Sequence, residues 1–368
     1  MPSKLRYVGL DVHKETIVIA VAESNRSTAK AWKTIPYDLS RLVKAIALLA
    51  ADGEVSICYE AGPTGFGVQR ALEKAGYACQ VVAPSLIPVQ SGNRVKTDRR
   101  DAAKLAHFLR SGDLTAITVP DREREALRDL ERSRDDAKRA ERVARQQLGK
   151  FLLRNDLRYN EGGHWTKKHL NWIRRLCVDN PVQQVVLDDY LQAVEDATER
   201  VSRLTTLLEE KILASSLAPL VRGLQVLHGV ATLTASVIAA EIGDFGRFST
   251  AKQFMAYVGL TPTEDSSGER VQRGAISKCG NRHVRHLLVE AAHHYRQRPR
   301  RSPVLRQRRA DQPESLSNIG WEAQKRLHRR LLALTARGKS SNKAITAVAR
   351  ELAGFVWAIG REVAAKPT

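Results

Sequence analysis

This chain of 368 residues has little of what usually announces a cofactor or a compartment. Its four cysteines, Cys58, Cys79, Cys177 and Cys279, form no CxxC pair. That scatter excludes a zinc ribbon and a disulfide framework, and it suits a reducing cytoplasm. Aromatic residues are 5% of the chain, too few to hold single-stranded nucleic acid by base stacking alone. No apolar run reaches the roughly 18 residues of a membrane span, so no membrane partner is expected. The opening Met1-Pro2-Ser3-Lys4-Leu5-Arg6 passes straight into a strand pattern, without the apolar core of a signal peptide. Gly62-Pro63-Thr64-Gly65 lacks the Gly-Lys-Ser/Thr ending of a P-loop, so no nucleotide cofactor is expected. The histidines, His293-His294 among them, show no metal-ligand spacing with nearby acids or cysteines.

What the chain has in excess is positive charge. Sixty Lys and Arg face 40 Asp and Glu, a formal net charge of +20. Basic side chains that neutralise phosphates release counterions, so the balance favours an anionic polymer as partner. The densest strip is 270–309, with twelve Arg or Lys against one acid, Glu290. The length allows two to three domains with real cores.

Residues 6–22 read as two strands joined at Asp11–Glu15, with a third near Ala29–Ile35. Leu39–Ala51 is helical, Val55–Tyr59 a buried strand, Gly65–Ala75 a helix, Tyr77–Val82 a strand and Arg99–Arg110 a helix. Three strands followed by alternating helix and strand predict an α/β domain of ribonuclease H-like order. Asp121–Leu152 is dense in charge and free of proline, which predicts a long exposed helix. After a polar break at Asn155–His169, Val182–Leu213 resumes helical periodicity. These two helices read as a coiled-coil-like arm for oligomerisation or for holding RNA, or as a plain solvated linker. Further helices are expected at Thr232–Ile242, Thr250–Val258 and Ser341–Ile359.

Four carboxylates stand out. Asp11 and Glu60 end apolar strands, in Gly9-Leu10-Asp11-Val12-His13-Lys14 and Tyr59-Glu60-Ala61-Gly62, while Asp98 and Asp101 share Lys96-Thr97-Asp98-Arg99-Arg100-Asp101-Ala102. Carboxylates at buried strand ends are costly unless a cation compensates them, and clustered acids hold the divalent ions of phosphoryl transfer. Singly, each also has an ordinary reading as a turn residue, a helix cap or an ion-pair partner. A second candidate centre is Gly259-Leu260-Thr261-Pro262-Thr263-Glu264-Asp265-Ser266-Ser267-Gly268, a loop followed by the cations of Ser277-Lys278-Cys279-Gly280-Asn281-Arg282-His283-Val284-Arg285. A serine beside glycine can attack phosphorus and hold a DNA end as an ester, although most such serines simply make turns.

The set GLDVHK, YEAGPTG, KTDRRDA, GLTPTEDSSG and SKCGNRHVRHLLVEAA, in this order along nearly the whole chain, closely resembles the DEDD insertion-sequence transposases known as bridge-RNA-guided serine recombinases. The resemblance implies an α/β plus α architecture of three parts. These are a RuvC-like, ribonuclease H-type domain over 1–120, a helical coiled-coil arm over 121–215 and a mainly helical C-terminal transposase domain over 216–368. It implies that Asp11, Glu60, Asp98 and Asp101 are catalytic and bind a divalent metal, Mg²⁺. It also implies that Ser267, with Ser266 as rival, forms a phosphoserine link to DNA. The implied partners are target and donor DNA, a structured non-coding guide RNA (the bridge RNA) and further copies of the chain in a tetramer with composite active sites. The expected location is the bacterial cytoplasm, at the nucleoid. His228-Gly229-Val230-Ala231 departs from the family's Pro-Gly-Ile-Gly, which weakens any helix-hairpin-helix phosphate contact there. The rival readings are a hydrolytic nuclease or Holliday-junction resolvase of the same fold, and a non-catalytic RNA-binding scaffold.

Overall fold

A computed structural model describes residues 5–88, 97–267 and 270–365. The chain forms two compact units, Met1–Val119 and Pro120–Thr368.

In the first unit the order is β1 (Arg6–Val12), β2 (Thr16–Glu23), β3 (Lys30–Pro36), α1 (Leu39–Ala50), β4 (Val55–Glu60), α2 (Gly67–Lys74), β5 (Cys79–Val82) and α3 (Asp98–Ser111). The sheet order is β3-β2-β1-β4-β5. The first three strands form an antiparallel meander, and β4 and β5 run parallel to β1. This mixed sheet is consistent with the ribonuclease H-like fold expected from the sequence.

Strand alternation gives the sheet two faces. Val8 and Leu10 of β1 and Ile57 and Tyr59 of β4 enter one apolar core with Leu42, Ile46 and Leu72 of the first two helices. Gly9, Asp11, Cys58 and Glu60 belong to the opposite face, where Ala102, Leu105, Ala106 and Leu109 of α3 pack. Gly9 is what lets α3 lie directly on β1, because a Cβ there would collide with the Ala102 carbonyl oxygen and the Ala106 nitrogen. Arg110 secures the far end of the helix by donating to the carbonyls of Glu23, Asn25 and Ser27.

The second unit opens with α4 (Arg122–Arg154), α5 (Lys167–Ile173) and α6 (Pro181–Leu213). Arg134 donates to Thr205 and Thr198 to Glu141, so seven residues forward on α4 are seven back on α6, and the two long helices run antiparallel. On α4, Ala137, Glu141, Ala144, Leu148 and Phe151 form a buried stripe at alternating four- and three-residue steps. The expectation of an exposed helix is therefore corrected: one whole face of α4 is covered. Even its carboxylate is compensated, with Glu141 accepting from Lys138 and Thr198 and pairing with Arg145.

The remainder comprises α7 (Ala218–Leu224), α8 (Thr232–Ile242), α9 (Ala251–Tyr257), β6 (Pro262–Glu264), β7 (Arg273–Ile276), α10 (Arg282–Ala292), α11 (Pro303–Ala310), α12 (Glu314–Ala336) and α13 (Ser341–Ala364). Helices α7–α10, α12 and α13 share one large core that includes Leu127 of α4 and Ile212 of α6. No helix among the described residues is long and apolar enough to cross a membrane.

Candidate active site

Parallel pairing of β1 with β4 runs to Leu10 opposite Tyr59. Asp11 and Glu60 are the next residues on each strand, so they leave neighbouring strand ends on the face that α3 covers. The N-terminus of α3 delivers the other two acids. Thr97 caps that helix by accepting from the Arg100 backbone N–H, and Asp98 and Asp101 occupy its first turn. Acids in a first turn are favoured by the helix dipole, and their three-residue spacing puts them one turn apart on one side. All four acids line one open cleft of about 1430 Å³, together with Lys14, Arg100, Lys104 and His107. A small-molecule pocket holds roughly 300–1,000 Å³, so this cleft suits a polymer better than a metabolite.

The acids feel one another. Burial pushes the Asp11 carboxyl above its ordinary range, and the charges of Asp98 and Asp101 push it the same way, with His13 acting in the opposite direction. The histidines show no such spacing in sequence, yet His13 Nε2 lies 3.2 Å from Asp11 Oδ2 and 3.5 Å from Asp98 Oδ1. The clue was the Asp-Val-His step, which returns to the same side of a strand every second residue. Ligand atoms of Asp11, His13 and Asp98 all lie within 4.8 Å of one another.

A divalent metal fits this donor set. Hard carboxylate oxygens from separate elements converge, and their mutual repulsion is the electrostatic condition that a cation relieves. Asp11 and Asp98 would hold the ion, with Glu60 and Asp101 on the same cleft wall. When bound, it would polarise a phosphodiester and stabilise the leaving oxygen.

Ser267 lies in the second unit, at the tip of the hairpin formed by β6 and β7. The segment read as a loop is thus largely a ladder. Asp265 N–H donates to the Gln272 carbonyl, and Ser267 and Arg270 exchange both backbone bonds. The hairpin base is bolted to α9 and α10. Ser277 N–H donates to Thr261 and Lys278 N–H to Gly259, while Arg285 donates to the carbonyls of Val258 and Cys279. Gly280 has φ +75°, and a side chain there would strike the Tyr257 carbonyl.

The two serines differ. Ser266 Oγ donates to Glu264 Oε1 at 3.0 Å and accepts from the Gln272 backbone at 3.3 Å, so its hydroxyl is spent on the hairpin. Ser267 is exposed, and no partner among the described residues engages its hydroxyl.

A ribonuclease H-like sheet whose strand ends gather acids in a cleft, joined to a basic helical unit, defines a class of enzymes that process nucleic acid. Comparison with known proteins narrows it. Residues 8–154 match the DEDD transposase family of IS110 type. Residues 221–308 match the family described as "Transposase IS116/IS110/IS902 family". "Putative transposase y4qE" of Sinorhizobium fredii is 43% identical over 97% of this chain and 88% of its own length. "Transposase for insertion sequence element IS1533" of Leptospira borgpetersenii is 33% identical over 90% of this chain and 97% of its own. The chain belongs to the IS116/IS110/IS902 family of insertion-sequence transposases, enzymes that act on DNA.

Proposed function

We propose that the protein moves its insertion sequence as an RNA-guided recombinase. Asp11, Glu60, Asp98 and Asp101 hold Mg²⁺ against a DNA phosphate, and Ser267 is the nucleophile. The observation that carries the metal half is the convergence of the four acids on one cleft. Lys14, Arg100 and Lys104 on its walls supply charge that draws a phosphate backbone toward the acids. For the other half, the support is that the Ser266 hydroxyl is engaged within the hairpin, whereas among the described residues no partner engages that of Ser267.

In this reading Ser267 Oγ displaces one deoxyribose oxygen from phosphorus. The products are a phosphoserine ester and a free sugar hydroxyl, and the reverse attack by a new hydroxyl rejoins the strand. Arg270, Arg273, Lys278 and Arg282 follow the serine and would neutralise the charge on phosphorus. The guide RNA, a tetramer with composite sites and a coiled-coil arm of α4 and α6 rest on the family resemblance. The buried four-and-three stripe of α4 adds support for the arm.

The acid cleft alone favours a second reading, in which water attacks and the enzyme is a hydrolytic nuclease or junction resolvase. Both readings expect Asp11→Ala and Glu60→Ala to abolish metal-dependent strand cleavage. The first also expects a discrete RNA of one sequence to co-purify with the wild type and with both variants. Absence of any bound RNA would remove the guided reading, and intact cleavage in both variants would remove the metal site.

A further inference from the structure

We infer that His13 is a ligand to the metal ion of the acidic cleft, giving the site a nitrogen donor that strengthens its binding of Mn²⁺ relative to Mg²⁺. The inference rests on the metal-binding reading of that cleft and adds a residue outside the four acids. His13 directly follows β1, and its backbone N–H donates to the Thr16 carbonyl at 2.9 Å, which fixes the tight turn into β2. From that turn the ring reaches back beside Asp11. Its Nε2 stands 3.2 Å from Asp11 Oδ2 and 3.5 Å from Asp98 Oδ1, so one ring atom bridges a strand-end acid and a helix-start acid.

Two properties suit a metal ligand. The donor atoms of all three residues lie within 4.8 Å of one another, close enough to surround one ion. The ring is half exposed and lines the cleft, so its approach to an ion is open and it is not committed to the protein interior. As a ligand, the neutral imidazole gives its Nε2 lone pair to the metal and keeps its proton on Nδ1. Carboxylates and water alone suit Mg²⁺, whereas an added imidazole shifts preference toward transition metals, of which Mn²⁺ shares the octahedral oxygen chemistry of such sites. An ion-paired imidazolium would instead repel an arriving cation.

The test is Mn²⁺ titration of the full-length protein, followed by pulsed electron paramagnetic resonance of the bound ion. The expected result is ¹⁴N modulation on wild-type Mn²⁺ that disappears in His13→Ala. Mn²⁺ affinity should fall about tenfold in that variant, the lower end of what losing a supporting group at a metal site costs. Mg²⁺ affinity, read by competition, should change less than twofold. Mn²⁺ bound without ¹⁴N modulation would overturn the role of His13 and leave the acid cluster standing. Modulation that survives in His13→Ala would also overturn it. Failure of the wild type to bind Mn²⁺ would overturn both this role and the metal reading of the cleft.

Discussion

Gly9→Ala should pull the acid cluster apart without altering an acid. An added Cβ would stand 2.9 Å from the Leu105 Cβ and closer still to the Ala102 carbonyl oxygen and the Ala106 nitrogen. Two of those three obstacles are helix backbone and cannot rotate aside. Restoring ordinary contact requires α3 to retreat by about 1 Å, and overpacking of this kind costs roughly 1–3 kcal/mol. For a unit of this size that is a fall in melting temperature of roughly 4–12 °C. Asp98 and Asp101 ride on the displaced helix while Asp11 stays on its strand. Misplacing catalytic groups by about 1 Å costs on the order of 100-fold in rate. Calorimetry and a metal-dependent nicking assay read the two effects. Unchanged melting together with nicking within twofold of wild type would refute the claim that Gly9 sets the spacing of the acids.

Three further predictions concern the second unit. Glu241 is buried and accepts from Arg132 and Asn281, with Arg128 beside it. Glu241→Ala strands those donors and should cost roughly 3–5 kcal/mol, read as lost denaturant resistance, with Glu241→Gln losing less. Burial, and then the nearby Glu241 charge, push the Glu131 carboxyl up to about 7. The folded state therefore holds this proton more tightly than the unfolded chain, and the stabilisation is complete below the ordinary carboxylate range and lost as pH rises through about 7. Glu131→Gln should match wild type at pH near 4, melt higher at pH near 8, and flatten the thermal pH profile between them. Ser266→Ala removes two hairpin hydrogen bonds, at a cost of about 1 kcal/mol each, and hydrogen exchange should quicken around Gln272 while strand cleavage persists.

The first unit was legible because its signals are local. Apolar runs mark β1, β2 and β4, and the helix expected over Arg99–Arg110 is α3, which starts one residue earlier behind a Thr97 cap. The four carboxylates stood out because polar residues ending apolar runs require compensation. His13 did not, since its partner Asp98 comes from an element more than eighty residues away and only the sheet–helix contact at Gly9 unites them. On α4 the charge pattern misled. Glu131 and Glu141 look like solvated residues in sequence, yet both are buried, Glu141 within the stripe. Glu141 is compensated by Lys138, Arg145 and Thr198, whereas Glu131 lies buried near the Glu241 charge, and no periodicity reveals either. The serine hairpin read as a loop because strands of three and four residues, β6 and β7, carry no alternation of their own. Its register is imposed by the turns at Gly259 and Gly280, which hold it to α9 and α10.

The central claim is that Ser267 completes the chemistry that the acids begin. It is tested most directly by trapping wild type, Ser266→Ala, Ser267→Ala and Asp11→Ala on a nicked suicide DNA substrate and mapping any protein–DNA bond by mass spectrometry. The account predicts a covalent adduct on the Ser267 peptide in wild type and Ser266→Ala, and none in Ser267→Ala or Asp11→Ala. Cleaved strands with free ends and no adduct in wild type, or an adduct that survives in Ser267→Ala, would contradict it.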